Sequence, residues 1–202
     1  MNEGNPPSRY TLVAIVLHWA LAAGIVALIV MGMAMTKLDL PILFKFKVYQ
    51  LHKSIGITVL LLAVLRLGWR IWHPAPALPA TMSRNERLLA HAGHWVLYLL
   101  QFAVPLLGWA VVSAAVLNIP TLLYGVVPWP HLPLLSTIAN RAQVEPALAT
   151  THALMAYGLV LIVVGHVAAA LRHHLVLKDD VLARMIPGLR QRPGKDEPAA
   201  SG

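Results

Sequence analysis

Thr151–His166 reads THALMAYGLVLIVVGH, sixteen residues without an acid or a base and with a histidine near each end. As a helix, at 100° and 1.5 Å per residue, the 14-residue spacing of His152 and His166 sets them about 40° apart in direction and about 21 Å apart along the axis. A bilayer hydrocarbon core is about 30 Å thick. One helix face therefore presents two imidazoles, one toward each membrane surface. Buried ionisable groups at such depths are costly, so each one marks a site with a task.

The rest of the chain supports a membrane setting. Of 202 residues, 58% are hydrophobic and 12% charged, about half the usual charged share, and the mean hydropathy is +0.67. A soluble domain of this size lacks the polar surface to cover itself. There is no cysteine, which excludes disulfides, thiolate zinc sites, iron–sulfur clusters and cysteine nucleophiles. Asp and Glu total 8 and leave little for carboxylate-bridged metals, whereas His, at 10, is the abundant ligand-capable residue. The net charge of +8 argues for cytoplasmic flanks and anionic lipid rather than for nucleic acid, which would need a soluble basic face.

A span needs about 20 mostly apolar residues, and four stretches qualify: about 11–35, 48–72, 88–116 and 146–175. No charged residue falls between Arg9 and Lys37, too long a stretch for a signal peptide. Pro74, Pro76 and Pro79 break helix after the second span. Pro105 kinks the third, which neighbouring helices tolerate. From Asn118 to Arg141 the chain is uncharged, but Pro120, Pro128, Pro130 and Pro133 preclude a fifth span. The segment reads as a long loop at the membrane surface with at most a short interfacial helix, Tyr124 and Trp129 fitting an aromatic belt. The expected architecture is an all-α membrane protein, a four-helix transmembrane bundle over residues 1–187, followed by a disordered tail, 188–202.

Four spans bring both termini to one side. That side carries Arg9, Arg66, Arg70, Arg84, Arg87, Arg172, Lys178, Arg184, Arg190, Arg192 and Lys195; the other carries Lys37, Lys45, Lys47, Lys53 and Arg141. Eleven against five places both termini in the cytoplasm. His52 and His152 are then the outer histidines, His18 and His166 the inner ones. Two bis-imidazole sites stacked across a bundle suit two b-type haems, with His52 and His152 on the outer iron and His18 and His166 on the inner. A lone membrane histidine is more often a helix–helix hydrogen-bonding residue, but four that pair by depth reverse that expectation. Zinc would favour nearby carboxylate or thiolate. Arg66, 14 residues beyond His52, is either a haem-propionate partner or an arginine snorkelling to the interface, and both readings stand.

The stretches LHWALA (17–22), YQLHKSIGITVLLLAVLRLGWR (49–70), LLAHAGHWVLYLLQFAVPLLGW (88–109) and THALMAYGLVLIVVGHVAAALRHHLVLKDDVLARMIPG (151–188) together resemble the bacterial cytochrome b561 family, four-span di-haem membrane cytochromes. The likeness covers roughly Tyr10 to Pro187. The first two spans are also similar in pattern to the cytochrome b subunits of membrane hydrogenases, while the C-terminal stretch is closer to stand-alone members, the superoxide oxidases. The resemblance puts the family's haem ligands on His18, His52, His152 and His166, in agreement with the depth pairing.

The resemblance further implies an oxidoreductase that takes electrons from superoxide at the periplasmic face and passes them to ubiquinone, with the quinone site at His94 and His173. Histidines titrating near neutrality suit both hydrogen bonding to a quinone carbonyl and proton supply. Some relatives have a lysine before the third span; here 75–83 has none, which leaves Arg84 or Arg87 for that role. Lys45, Lys47 and Lys53, with Lys37 and a single acid, Asp39, would steer an anionic substrate to the outer site; an ordinary solvated loop is the competing interpretation. The rival function is an electron-transfer subunit relaying electrons between a partner dehydrogenase or periplasmic cytochrome and the quinone pool, with 118–141 as its docking surface.

Overall fold

A computed structural model describes residues 9–79 and 81–189. Four long helices make the molecule: α1 (Leu12–Lys37), α2 (Ile42–Trp72), α3 (Arg84–Ala114) and α5 (Arg141–Arg172). Each is long and apolar enough to cross a membrane. Leu12, Val30, Leu61 and Leu161 are among many large apolar side chains exposed along them, as expected where lipid rather than water is the outer solvent. The chain is an integral membrane protein.

Local chemistry sets the helix ends. Thr11 caps α1, its hydroxyl accepting from the Ala14 amide at 3.3 Å, and Pro41 starts α2. Ser83 opens α3 with a capping box closed by Glu86, so the first-turn amides are satisfied inside the helix. Glu86 also meets Arg172 at 3.0 Å, tying the start of α3 to the end of α5. Pro105 is accommodated within α3. The α2 and α5 helices start six and five residues before the expected spans, respectively, because backbone hydrogen bonding carries a helix past the hydrocarbon boundary.

Two layers result. One is α1 against α2, the other α3 against α5, joined through α2 and α3. Neither α1 nor α2 packs substantially on α5. Leu21, Ile25, Val59, Ala63, Leu97, Leu100 and Leu159 form the shared core at mid-height. Gly24 sets the distance within the first layer: a Cβ there would lie 2.6 Å from Val59 Cγ2, so only glycine lets these helices approach so closely.

The segment after α3 differs from the expected loop. It contains an antiparallel hairpin, β1 (Thr121–Leu123) paired with β2 (Val127–Trp129), and then a single helical turn, α4 (Pro133–Ser136). Tyr124 and Gly125, the first two residues of the three-residue connection that ends at Val126, take positive φ, 53° and 76°, and so turn the chain back on itself tightly. Pro128 is tolerated because the ribbon has only two strands. The hairpin is fastened to α2: Tyr124 N donates to Ser54 Oγ at 3.0 Å, the Tyr124 and Thr58 hydroxyls bond at 2.7 Å, and Gln50 and Lys53 both donate to the Pro120 carbonyl at 3.3 Å. At the opposite end Arg9 donates to the Leu189 carbonyl at 2.7 Å, so the two ends of the described chain meet. Of the expected 188–202 tail, all but Gly188 and Leu189 lies outside the described residues.

Candidate functional site

Histidines from both layers meet across the gap between them. At one end His52 on α2 faces His152 on α5, ring centres 6.5 Å apart. At the other, His18 on α1 faces His166 on α5 at 6.2 Å. Two imidazoles bound to one iron through nitrogens about 2 Å from it, with roughly 1 Å more to each ring centre, are spaced by about 6 Å. Both pairs have that spacing, and both span helices that do not pack closely on each other.

The surroundings fit such a group. His152 Nδ1 lies 2.9 Å from the Val104 carbonyl of α3; the ring donates there, which leaves Nε2 as the nitrogen free to take a metal and fixes the ring plane. That contact depends on Gly108, where a Cβ would come within 3.1 Å of His152 Cε1. His52 sits beside Gly32, where a Cβ would lie 3.7 Å from its Cε1. Its Nδ1 is buried without a partner among the described residues, a polar atom that a bound group or ordered water has to satisfy. A first prediction arises here. Gly108→Ala should shift or partly bleach the absorption of a haem held by His152, read by difference spectroscopy of the purified protein.

The inner pair has further company. His94 on α3 is 5.6 Å from His166, ring centre to ring centre. Because α3 and α5 are in close contact, His94 flanks His166 from its own layer, whereas His18 faces it across the gap. Arg66 reaches α1, its Nη1 donating to the Ala14 carbonyl at 3.0 Å, one turn before His18. It meets no carboxylate among the described residues, so part of its guanidinium is left for an anion. His173 lies seven residues beyond His166, two helical turns and close to the same face. It is buried, and its Nδ1 is 2.5 Å from Asp179 Oδ2.

The three lysines proposed for steering separate. Lys45 and Lys47 are exposed. Lys53 is only 8% exposed, its ammonium on the Pro120 carbonyl and 5.6 Å from the centre of the Tyr49 ring. It fastens the hairpin and is not part of an open basic surface. Among positions the sequence did not single out, Gly108, Gly32 and Asp179 bear directly on the histidines. A glycine one packing layer from a histidine leaves no mark in a single sequence.

The chain is similar to known proteins over nearly its whole length. A family model described as prokaryotic cytochrome b561 matches residues 9–188. Cytochrome b561 homolog 2 of Escherichia coli (strain K12) is 33% identical over 186 residues, covering 92% of this chain and 95% of that protein. The probable superoxide oxidase CybB of Yersinia pestis is 31% identical over 188 residues, covering 90% and 98% respectively. Four membrane-crossing helices, histidines paired across the gap between two layers and these likenesses identify a membrane electron-transfer protein of a family that carries b-type haem: the chain belongs to the prokaryotic cytochrome b561 family.

Proposed function

We propose that this chain is a superoxide:ubiquinone oxidoreductase of the bacterial inner membrane, with both termini cytoplasmic. It takes electrons from superoxide at the periplasmic face and delivers them to ubiquinone at the cytoplasmic side. The observation that carries the reading is the pair of histidine couples with ring-centre spacings of 6.5 and 6.2 Å at opposite ends of one bundle. The likeness to a probable superoxide oxidase supports the choice of electron donor. Each bound haem b would supply a one-electron redox centre.

The chain's own residues do the rest. His52 and His152 would hold the outer haem and His18 and His166 the inner, with Val104 and Gly108 orienting His152. Arg66 would pair with an inner propionate. Lys45 and Lys47 raise the local concentration of a small anion by steering; Lys53 adds a fixed positive charge behind them. No nucleophile or protein base is needed where superoxide loses its electron, since dioxygen leaves without bond making. At the inner end His94 and His173 would hydrogen-bond the quinone carbonyls.

Charge reversal at Lys45 and Lys47 should slow reduction by superoxide several-fold at low ionic strength and flatten its salt dependence, since screening acts on what steering contributes. Stopped-flow traces at two ionic strengths measure both. The reading as a whole is tested by superoxide generated outside liposomes that contain the holoprotein and ubiquinone. One ubiquinol should appear for every two superoxide anions consumed beyond spontaneous dismutation. No ubiquinol above a protein-free control would refute the superoxide reading and favour a relay subunit fed by a protein partner.

A further inference from the structure

Helix α5 ends unusually. After Arg172 the chain makes one π turn, His173–Leu177, and Lys178 then takes the left-handed conformation, φ 57° and ψ 34°. Glycine is the ordinary residue at such a position because a side chain there is strained. The amides of Lys178 and Asp179 both return to the His173 carbonyl, the latter at 3.1 Å. The result is a contact that a regular helix forbids. Residues six apart on an α-helix point about 120° apart and lie about 9 Å apart along the axis, yet Asp179 Oδ2 is 2.5 Å from His173 Nδ1.

The carboxylate is held from both sides. Its Oδ1 accepts from the Val181 amide at 3.1 Å, so neither oxygen is free to wander. The segment that follows is anchored to the other layer and to the second connector. Trp19 on α1 donates to the Met185 carbonyl at 2.8 Å, and Arg184 donates to the Ala77 carbonyl at 2.5 Å. The His173 side chain is 10% exposed and that of Asp179 16%, so the pair is largely enclosed with the carboxylate slightly nearer to water. A helix end needs none of this, since the His173 carbonyl is already satisfied by two amides. A buried imidazole–carboxylate contact costs desolvation without adding to the cap, and backbone strain of this kind gathers where a side chain must be aimed.

We propose that Asp179 is the positioning residue of a proton-delivery pair that serves the quinone. The proposal rests on the reading of His173 given above. Asp179 accepts the Nδ1 hydrogen of His173 and so turns Nε2 toward the inner end of the bundle as the nitrogen that addresses a carbonyl oxygen. Reduction of one quinone consumes two electrons, which two superoxide anions supply, and two protons. His173 supplies one of the protons: its Nε2–H bond breaks as the quinol O–H bond forms, the ring is left neutral with its Nδ1 hydrogen still on Asp179, and Nε2 regains a proton from hydronium in the solvent once the quinol has left. The second proton enters at the other carbonyl and does not come from this pair. In the carboxylate–histidine pairs that orient metal ligands, the outer carboxylate is worth about 10–100-fold in affinity or activity, and the same scale is expected here.

The test uses holoprotein with both haems reduced anaerobically by dithionite, the excess removed. Short-chain ubiquinone is then mixed in, and reoxidation is followed at the haem absorption bands in H2O and in D2O. Asp179→Asn should keep its haem content and its reduced spectrum. Its reoxidation should slow about 10–100-fold, with a larger solvent isotope effect than the wild type, and Asp179→Glu should recover much of the rate. Reoxidation of Asp179→Asn at the wild-type rate, with an unchanged isotope effect, would overturn the proposal and leave the carboxylate a cap. Should Asp179→Asn lose haem, Asp179→Ser decides in its place: a slowed rate with a raised isotope effect supports the pair, wild-type values overturn it. Failure of ubiquinone to reoxidise the wild type is a different result, and it would overturn the quinone reading itself.

Discussion

On the proposed assignment of the haem ligands, His52→Ala should remove one haem from each chain and leave the other spectroscopically intact. This is the largest single-residue effect expected on composition, and it follows from how separately the two sites are built. His52 comes from α2 and His18 from α1, each facing α5 across the gap, and His152 and His166 are about 21 Å apart along that helix. The core side chains Leu21, Ile25, Val59 and Leu159 lie in the apolar cluster between the two levels. Loss of one imidazole therefore leaves the opposite level packed as before. Haem extracted per mole of protein should fall by half for His52→Ala and for His152→Ala alike, the surviving spectrum being the same in both. Loss of neither haem would remove His52 and His152 from the ligand set.

His18→Ala should separate the two half-reactions. With the inner haem gone, the exposed Lys45 and Lys47 are unchanged, and superoxide should still reduce what haem remains. Transfer to ubiquinone should fall below detection, because the electron is left at the far end of the bundle from His94 and His173. His18 is the better choice than His166 for this experiment. His94 lies against His166, so changing His166 would disturb the acceptor site as well as the haem. The matching outer variant, His52→Ala, should show the reverse pattern: slow reduction by superoxide, but reoxidation by ubiquinone once dithionite has reduced the inner haem. Equal loss of both half-reactions in both variants would mean that the sites are not independent.

Much of this was legible in the sequence, and the reasons for the rest are physical. Uncharged runs mark the spans, since a charge in hydrocarbon is expensive, and they predict four membrane-crossing helices, the number the structure has. Helical periodicity puts His152 and His166 on one face at two depths, and orientation then sorts His52 to the level of His152 and His18 to that of His166. The structure brings the same residues together, at 6.2 and 6.5 Å. The hairpin was not foreseen. Its signal, Tyr124-Gly125 between short apolar runs, is brief and lies among prolines that argue against regular structure. Lys53 illustrates a different limit. Its charge suggests an exposed patch, but its burial is decided by a hairpin nearly seventy residues later in the chain, through the Pro120 carbonyl. The contact of His173 with Asp179 was hidden for a third reason: helical spacing puts the two on different faces, and only the π turn and the left-handed Lys178 reunite them.

The most direct measurement is rapid mixing of the purified, air-oxidised holoprotein with superoxide, recording the haem absorption bands on the millisecond scale. The bands should change to the reduced form at a rate near the diffusion limit, fall in rate as salt is raised, and return to the oxidised form when ubiquinone is added. A spectrum that superoxide leaves oxidised, in protein that dithionite reduces and ubiquinone reoxidises, would contradict superoxide as the donor and leave the chain a relay between a protein partner and the quinone pool.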